Sequence, residues 1–400
     1  MRVCHFHGNP NSYNAAISFL DAGDLIRFHT SLYAPAGMRR RFHRDLPKDR
    51  VTTHPAWEAM RLAVTRMPFK RWNGHRQAFV DLVARKFDAA TARAVRETDG
   101  AVYCYEDSAS MTFARARHLG ARRIYELPIM HYREMRRVFQ SEVDQHPELA
   151  QHFQTFHEPQ WKLDQKDEEL AAAEVIVVPA TFVRDSVERF LSVRAQFVVV
   201  PYGADVSAEQ KRWTTADAEG PLRLLFVGIL GPRKGLHLLF EVLARMGSRA
   251  IHLTLAGRWQ PGFREWLASR YPVPYDWVGS LDERGVNAEY RKAHVLVLPS
   301  LAEGFALVIS EAMASGIPVI ATERSAAPDL IDDRIDGWIT AAGDSEGLQA
   351  RIESLLENRG ILPEIGAAAR RKAELFSWER YRKTLRAGVF AALSGQAIKL

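Results

Sequence analysis

The chain is poor in cysteine: Cys4 and Cys104 are its only two in 400 residues. Each sits in a short apolar run that reads as a strand, so neither a disulfide framework nor a cysteine metal site is indicated, and the usage fits a reducing compartment. Long hydrophobic runs are missing as well. No stretch approaches the roughly 18 apolar residues of a membrane span, and the opening MRVCHFHGNPN holds no apolar signal region. The expectation is a cytoplasmic protein, at most peripheral at the inner membrane face. Internal repeats and low-complexity segments are absent too.

What is present is an ordinary globular balance, with 47% hydrophobic and 26% charged residues. The length suggests two or three domains at one per roughly 100–200 residues. A formal net charge of +6 suits an anionic substrate, a nucleic acid or an anionic membrane and does not choose among them. Between Met38 and Arg76, arginines and lysines interleave with Phe42, Trp57, Phe69 and Trp72. This reads either as helices with solvated cations or as a basic aromatic surface for peripheral membrane contact. His5 and His7 share a strand face, but no third residue at suitable spacing completes a metal site. His146, His152 and His157 read as scattered surface histidines.

The densest chemical signal is His294 to Thr322, HVLVLPSLAEGFALVISEAMASGIPVIAT. Val295 to Leu298 is an apolar run of the kind a parallel strand shows when covered on both faces. Pro299 and Ser300 end it, a helix is expected over Phe305 to Ala314, and Gly316 closes that helix. A helix mouth past the C-terminal end of a parallel strand offers free N–H groups and a dipole to an anion. Glu303 and Glu311 flank this mouth, at most roughly 12 Å apart along the axis. Alone, such a pair is more often two solvated surface carboxylates.

The segment PS-x-x-EGF-x-L-V-x-x-EAMASG-x-PVIAT resembles the donor motif of glycosyltransferase family 4, retaining enzymes of the GT-B fold. That resemblance implies two doubly wound Rossmann-like α/β domains facing a central cleft. It also implies transfer of a sugar from a nucleotide diphosphate sugar, with no metal and no other cofactor required. By it, Glu303 orients the donor sugar, Glu311 holds the ribose, and the backbone of Gly304, Phe305, Ala306 and Leu307 faces sugar or phosphate oxygens. Ala306 departs from the family's usual glycine. The chain also lacks the Asp-x-Asp motif of metal-dependent glycosyltransferases.

Upstream, Leu222 to Val227 reads as a strand, followed by Gly228-Ile229-Leu230-Gly231-Pro232-Arg233-Lys234-Gly235 and an amphipathic helix. Gly231 lets backbone approach a diphosphate, for which Arg233 supplies a planar fork and Lys234 a compact charge. Ile229 stands where the family often has arginine. In the first half, Gly8 and Asn11 sit on a segment that reads locally as a turn or a substrate cradle, and the resemblance implies a loop there facing the cleft. The resemblance puts a catalytic histidine near the reacting carbon after the strand Arg122 to Leu127, and His131 is the nearest, to lie beside the transferred sugar and handle the acceptor proton, with Glu126 and Glu106 as alternatives and a packed histidine as the plain reading. Thr181 is the expected cap of the next helix.

The expected organisation is an N-terminal domain over 1–206, a linker over 207–220 and a donor domain over 221–377. A last helix, within about 378–400, returns to the first domain. The acceptor, a glycan, a lipid-linked sugar or a small molecule, stays open, and no nucleic acid is expected. Other readings are a phosphorylase, a sugar-nucleotide epimerase, or a basic polyanion- or membrane-binding protein with a vestigial donor site.

Overall fold

The computed structural model describes residues 1–6, 9–33, 46–66, 73–206, 209–247 and 250–396. The first half contains β1 (Arg2–Cys4), α1 (Pro10–Asp21), β2 (Arg27–Thr30), β3 (Val51–Thr53), α2 (Pro55–Arg66) and α3 (Asn73–Ala94). There follow β4 (Ala101–Tyr105), α4 (Ser110–His118), β5 (Arg122–Glu126), α5 (Tyr132–Gln145), α6 (Gln160–Ala172), β6 (Val175–Val178), α7 (Thr181–Glu188) and β7 (Gln196–Val199). The second half contains β8 (Leu222–Val227), α8 (Leu236–Met246), β9 (Ile251–Ala256), α9 (Phe263–Arg270), β10 (Asp276–Trp277) and α10 (Glu283–Lys292). It continues with β11 (Val295–Leu298), α11 (Leu307–Ala314), β12 (Val319–Thr322), α12 (Ala327–Leu330), β13 (Trp338–Thr340), α13 (Ser345–Glu357), α14 (Leu362–Ala373) and α15 (Trp378–Leu393).

The strands form two wholly parallel sheets, ordered β3-β2-β1-β4-β5-β6-β7 and β10-β9-β8-β11-β12-β13. Both are doubly wound, as the alternation of apolar runs and helical patterns predicts. β6, β11 and β12 are buried at every position, because helices cover both faces of a parallel sheet. The order reverses at β1/β4 and at β8/β11, and the strand ends beside these reversals are where open α/β sheets bind ligands.

Helix α15 packs against the first domain. It packs on α1, where the Ser18 hydroxyl donates to the Arg382 carbonyl at 2.7 Å and the Arg382 guanidinium donates to Asn14 at 2.8 Å. The polar segment before β8 is no free linker in its described part. Lys211 and Asp217 are buried and paired at 2.8 Å, and Asp217 also meets Arg223 and His294, so these residues are pinned to the second sheet.

Several local expectations are corrected. Helix α1 begins at Pro10, whose missing N–H costs nothing in the first turn, and Asn9 caps it by accepting from the Ser12 N–H at 3.0 Å. Asn11 therefore lies in a helix, not on a loop. Helix α11 begins at Leu307 because Ala306 is left-handed, with φ 68°. Thr181 does not cap α7. It is that helix's first residue, and Asp329 of the second domain accepts from both its N–H (2.8 Å) and its hydroxyl (2.7 Å). Gly8 and His7 lie outside the described residues, as do Phe42, Phe69 and Trp72 and the side chains of Trp57, Arg61, Arg66 and Arg76 in the basic stretch.

Candidate active site

Between the two sheets lies a cavity of about 470 Å³. One wall comes from the C-terminal ends of β8 and β9, through Ile229, Gly231, Arg233, Lys234, Arg258 and Trp259. The other comes from the end of β4 and the segment around α5 and α6, including Glu106, Asp107, Phe139, His152, Thr155 and Lys166. His152 is thus a buried wall residue and not the surface histidine its spacing suggested. Among the described residues, no group of three or more His, Cys, Asp or Glu side chains could hold a metal ion.

Arg233, Lys234 and Glu303, separated by 69 or more positions, meet at this cavity's edge. The turn Pro232–Lys234 ends at Gly235 with φ 68°, where a Cβ would fall 1.8 Å from the Pro299 carbonyl. That close approach brings the turn onto the loop that carries Glu303. The Glu303 carboxylate takes the Lys234 ammonium at 2.6 Å, the Arg233 guanidinium at 3.2 Å and the Ser300 hydroxyl at 2.8 Å. Burial alone would raise the Glu303 pKa, but Lys234 and Arg233 outweigh it and hold it below the usual carboxylate value. Burial pulls the Lys234 pKa down, with Glu303 opposing. The Glu303 carboxylate thereby holds two cations side by side.

Gly304 is equally constrained: a Cβ there would lie 1.7 Å from the Pro128 carbonyl of the first domain. Phe305 packs edge-on against Tyr202, ring centroids 5.2 Å apart. Leu307 and Glu311 line a second, smaller cavity of about 50 Å³ with Glu283, Asn287, Asp205 and Trp378. Tyr290 donates to Glu311 at 3.2 Å. The two glutamates of the motif therefore serve different spaces.

The structure does not bring His131 to either cavity. It is 2% exposed and caps α5, its Nδ1 accepting from the Arg133 N–H at 3.4 Å while Nε2 meets Asp167 at 3.0 Å. Burial lowers its pKa against the pull of Asp167. With both ring nitrogens engaged it has no free atom for an acceptor proton, so the packed reading is the one the geometry favours. Asn11 and Glu126 are joined elsewhere: Glu126 accepts from Asn11 (2.7 Å), Tyr202 (2.9 Å) and Tyr103 (2.9 Å) in a buried cluster.

The wall opposite the cations was missed by sequence reasoning, apart from Glu106. Lys166 joins Glu106 at 2.5 Å and Asp107 at 2.9 Å. Glu106-Asp107 at a strand end was a visible signal; Lys166, 59 or more positions away on a polar helix, carried none. Polar links also cross between the domains beyond the cavity, as in His237 to Glu142 at 2.7 Å, Trp266 to Glu148 at 2.8 Å and Arg324 to Glu134 at 3.0 Å.

Two parallel Rossmann-like sheets meeting across a cavity at their strand ends define the GT-B fold, and the chain has that fold. Solved structures similar over nearly the whole chain agree. The sucrose-phosphate synthase of Thermosynechococcus elongatus has a TM-score of 0.68 at 20% identity, covering 98% of this chain and 96% of that one. Anabaena HepE, solved with UDP, has a TM-score of 0.66 at 16% identity, covering 98% and 99%. Within the fold, residues 221–358 match the family model described as Glycosyl transferases group 1. The chain is also similar to the MMP alpha-(1->4)-mannosyltransferase of Mycolicibacterium hassiacum, 32% identical over 217 residues, 52% of this chain and 51% of that relative. It spans between 35% and 57% of the length of the first curated relatives it matches. No described helix is long and apolar enough to cross a membrane.

Proposed function

We propose that the protein is a retaining, metal-independent glycosyltransferase of family 4 type that uses a nucleotide diphosphate sugar. The observation that carries this reading is the Arg233–Lys234–Glu303 cluster at the edge of a cavity between two Rossmann-like domains. Cleaving a sugar from a nucleotide diphosphate leaves negative charge on the departing phosphate. Two cations already held together meet that charge without reorganising, and they stabilise the transition state more than the ground state. Glu303 offsets their mutual repulsion and aims them. Glu311, beside the smaller cavity, is suited to ribose hydroxyls, and Gly231 leaves room for the diphosphate. The match over 221–358 and the UDP held by Anabaena HepE support a nucleotide-sugar donor.

A transfer needs no resident cofactor in this reading, and peripheral membrane contact through the basic N-terminal stretch is retained as part of it. Thermal denaturation with a panel of UDP-, GDP- and ADP-sugars tests the donor. At ligand concentrations of roughly 100 Kd, binding stabilises by about 2.7 kcal/mol, a shift of a few degrees. If no member of the panel stabilises the chain, the reading fails. Release of nucleotide diphosphate only when an acceptor is present separates transfer from epimerisation.

A further inference from the structure

Glu126 ends β5 with its side chain buried, 1% exposed, and none of its partners is a cation. It takes three neutral donors instead: Asn11 from the first turn of α1 at 2.7 Å, Tyr103 from β4 at 2.9 Å and Tyr202 at 2.9 Å. Burial raises its pKa, and these hydrogen bonds oppose the rise without reversing it. A carboxyl group buried without a cation is costly to keep, and an apolar side chain of similar size would avoid that cost. What a fully satisfied polar cluster adds is rigidity, because each bond fixes the direction of the group that makes it.

The group fixed here is Tyr202. It lies just past β7, where the chain leaves the first sheet and meets the start of α15. A Cβ on the neighbouring Gly203 would fall 2.4 Å from the Trp378 nitrogen, and the Ala204 N–H donates to the Phe376 carbonyl at 2.8 Å. The Tyr202 ring touches only other rings on its far sides, Tyr381 at 5.8 Å and Phe305 at 5.2 Å between centroids. Ring contacts of this kind hold direction loosely, so the hydroxyl on Glu126 sets where the ring stands.

Phe305 belongs to the loop that carries Glu303 and ends at the left-handed Ala306. That loop meets the end of β5 a second time, since Gly304 is packed against the Pro128 carbonyl two residues beyond Glu126. The second-domain loop is thus seated on the first domain at two points, once through backbone and once through Tyr202, and both lead to the end of β5. Glu126 itself is not among the residues lining either cavity, so whatever it does there is done through others. Resting on the glycosyltransferase reading, we propose that Glu126 is a positioning residue: by holding the Tyr202 hydroxyl it seats Phe305 and so sets the place of the Glu303–Ala306 loop beside the donor.

The test reads hydrogen–deuterium exchange of the full chain without ligand, on peptides covering 301–309 and 323–330. The reporting amides are Glu303, bonded to the Arg324 carbonyl at 3.0 Å, and Ala326, bonded to the Phe305 carbonyl at 3.1 Å. Glu126→Leu leaves three donors without their acceptor and can fail to fold, so Tyr202→Phe is the deciding variant: it keeps the ring and removes one hydroxyl. In Tyr202→Phe both amides are expected to exchange about tenfold faster while β11 and β12 stay as protected as before. Glu126→Gln is expected to stay within about twofold of the parent, because its oxygen still accepts from Asn11 and Tyr202 while its amide group donates to the Tyr103 oxygen. Loop exchange unchanged in Tyr202→Phe, acceleration spread evenly over β11 and β12, or Glu126→Gln as fast as Tyr202→Phe would overturn the proposal. UDP, GDP and ADP are the probes for the donor side: whichever binds the parent in calorimetry is expected to bind Tyr202→Phe about fivefold more weakly, and equal affinity also overturns the positioning role. If none of the three binds while the exchange follows the expected pattern, the donor reading falls and the seating of the loop by Glu126 stands.

Discussion

Two carboxylates near one cavity, Glu303 behind its cationic edge and Glu106 on the facing wall, are both pushed up by burial and yet end shifted in opposite directions. Glu303, behind Arg233 and Lys234 in the second domain, has two cations and a hydroxyl, and its pKa is held down. Glu106, on the first domain's wall, shares Lys166 with Asp107, and burial wins, so its pKa is raised. The same residue type at similar depth thus gives a preorganised cation pair in one place and an acidic surface in the other. What differs is the number of cations per carboxylate. Desolvation raises both, and the sign of the net shift follows whether the nearby cations outweigh it.

The sharpest break of this comparison is Lys234→Met. It leaves the buried Glu303 with Arg233 and Ser300 only, and is expected to cost about 3 kcal/mol of stability and at least about a hundredfold in transfer. Adding Glu303→Gln should recover most of the stability in chemical denaturation and none of the turnover. Equal stability of the single and double variants would mean the pair is not coupled.

The walls should also differ in their response to pH. Glu169 accepts the backbone N–H groups of Asp107, Ala109 and Ser110 and so holds the loop after β4. Burial pushes its pKa up to about 7, against the hydrogen bond from Ala109. A carboxyl raised in the folded state contributes stability that is present below its ordinary value near 4.5 and is lost as the pH climbs through about 7. Glu303, with its pKa lowered, contributes stability above 4.5 that is lost only as the pH falls through its lower folded value. Denaturation temperatures between pH 5 and 8 should therefore fall with rising pH, and the slope should flatten in Glu169→Gln but not in Glu303→Gln.

Smaller effects probe how the walls are joined and how the motif is strained. Asp329→Ala removes the cap supplied across the domain boundary to α7 and should lower stability by about 1 kcal/mol, read by urea denaturation. Restoring glycine with Ala306→Gly relieves the left-handed backbone and should stabilise by about 0.5–1 kcal/mol. A loss of stability there would show that the Ala306 methyl packs usefully despite its conformation.

Much of the second domain was legible because its signals are local. An apolar run, a proline stop, a helical period and a closing glycine follow one another in Val295 to Gly316, and Arg233-Lys234 sits one turn before a clear amphipathic helix. The first domain was harder to read. The basic stretch gave no period, β3 is a three-residue edge strand, and the polar residues from Arg133 to Glu169 concealed α5, α6 and a buried wall. His131 was drawn toward the site by position alone, but its ring is spent capping a helix and binding Asp167.

The sequence by itself determined the two parallel sheets and the two adjacent cations that stand before α8, since hydrophobic period and turn chemistry act over a few residues. Only the tertiary structure decided which charges cancel. Glu303 meets Arg233 and Lys234, and Lys166 meets Glu106 and Asp107, across gaps of 59 or more positions that no local pattern spans. Electrostatic balance depends on distances and burial in space, and so the cationic wall and the acidic wall become distinguishable only once the chain has folded.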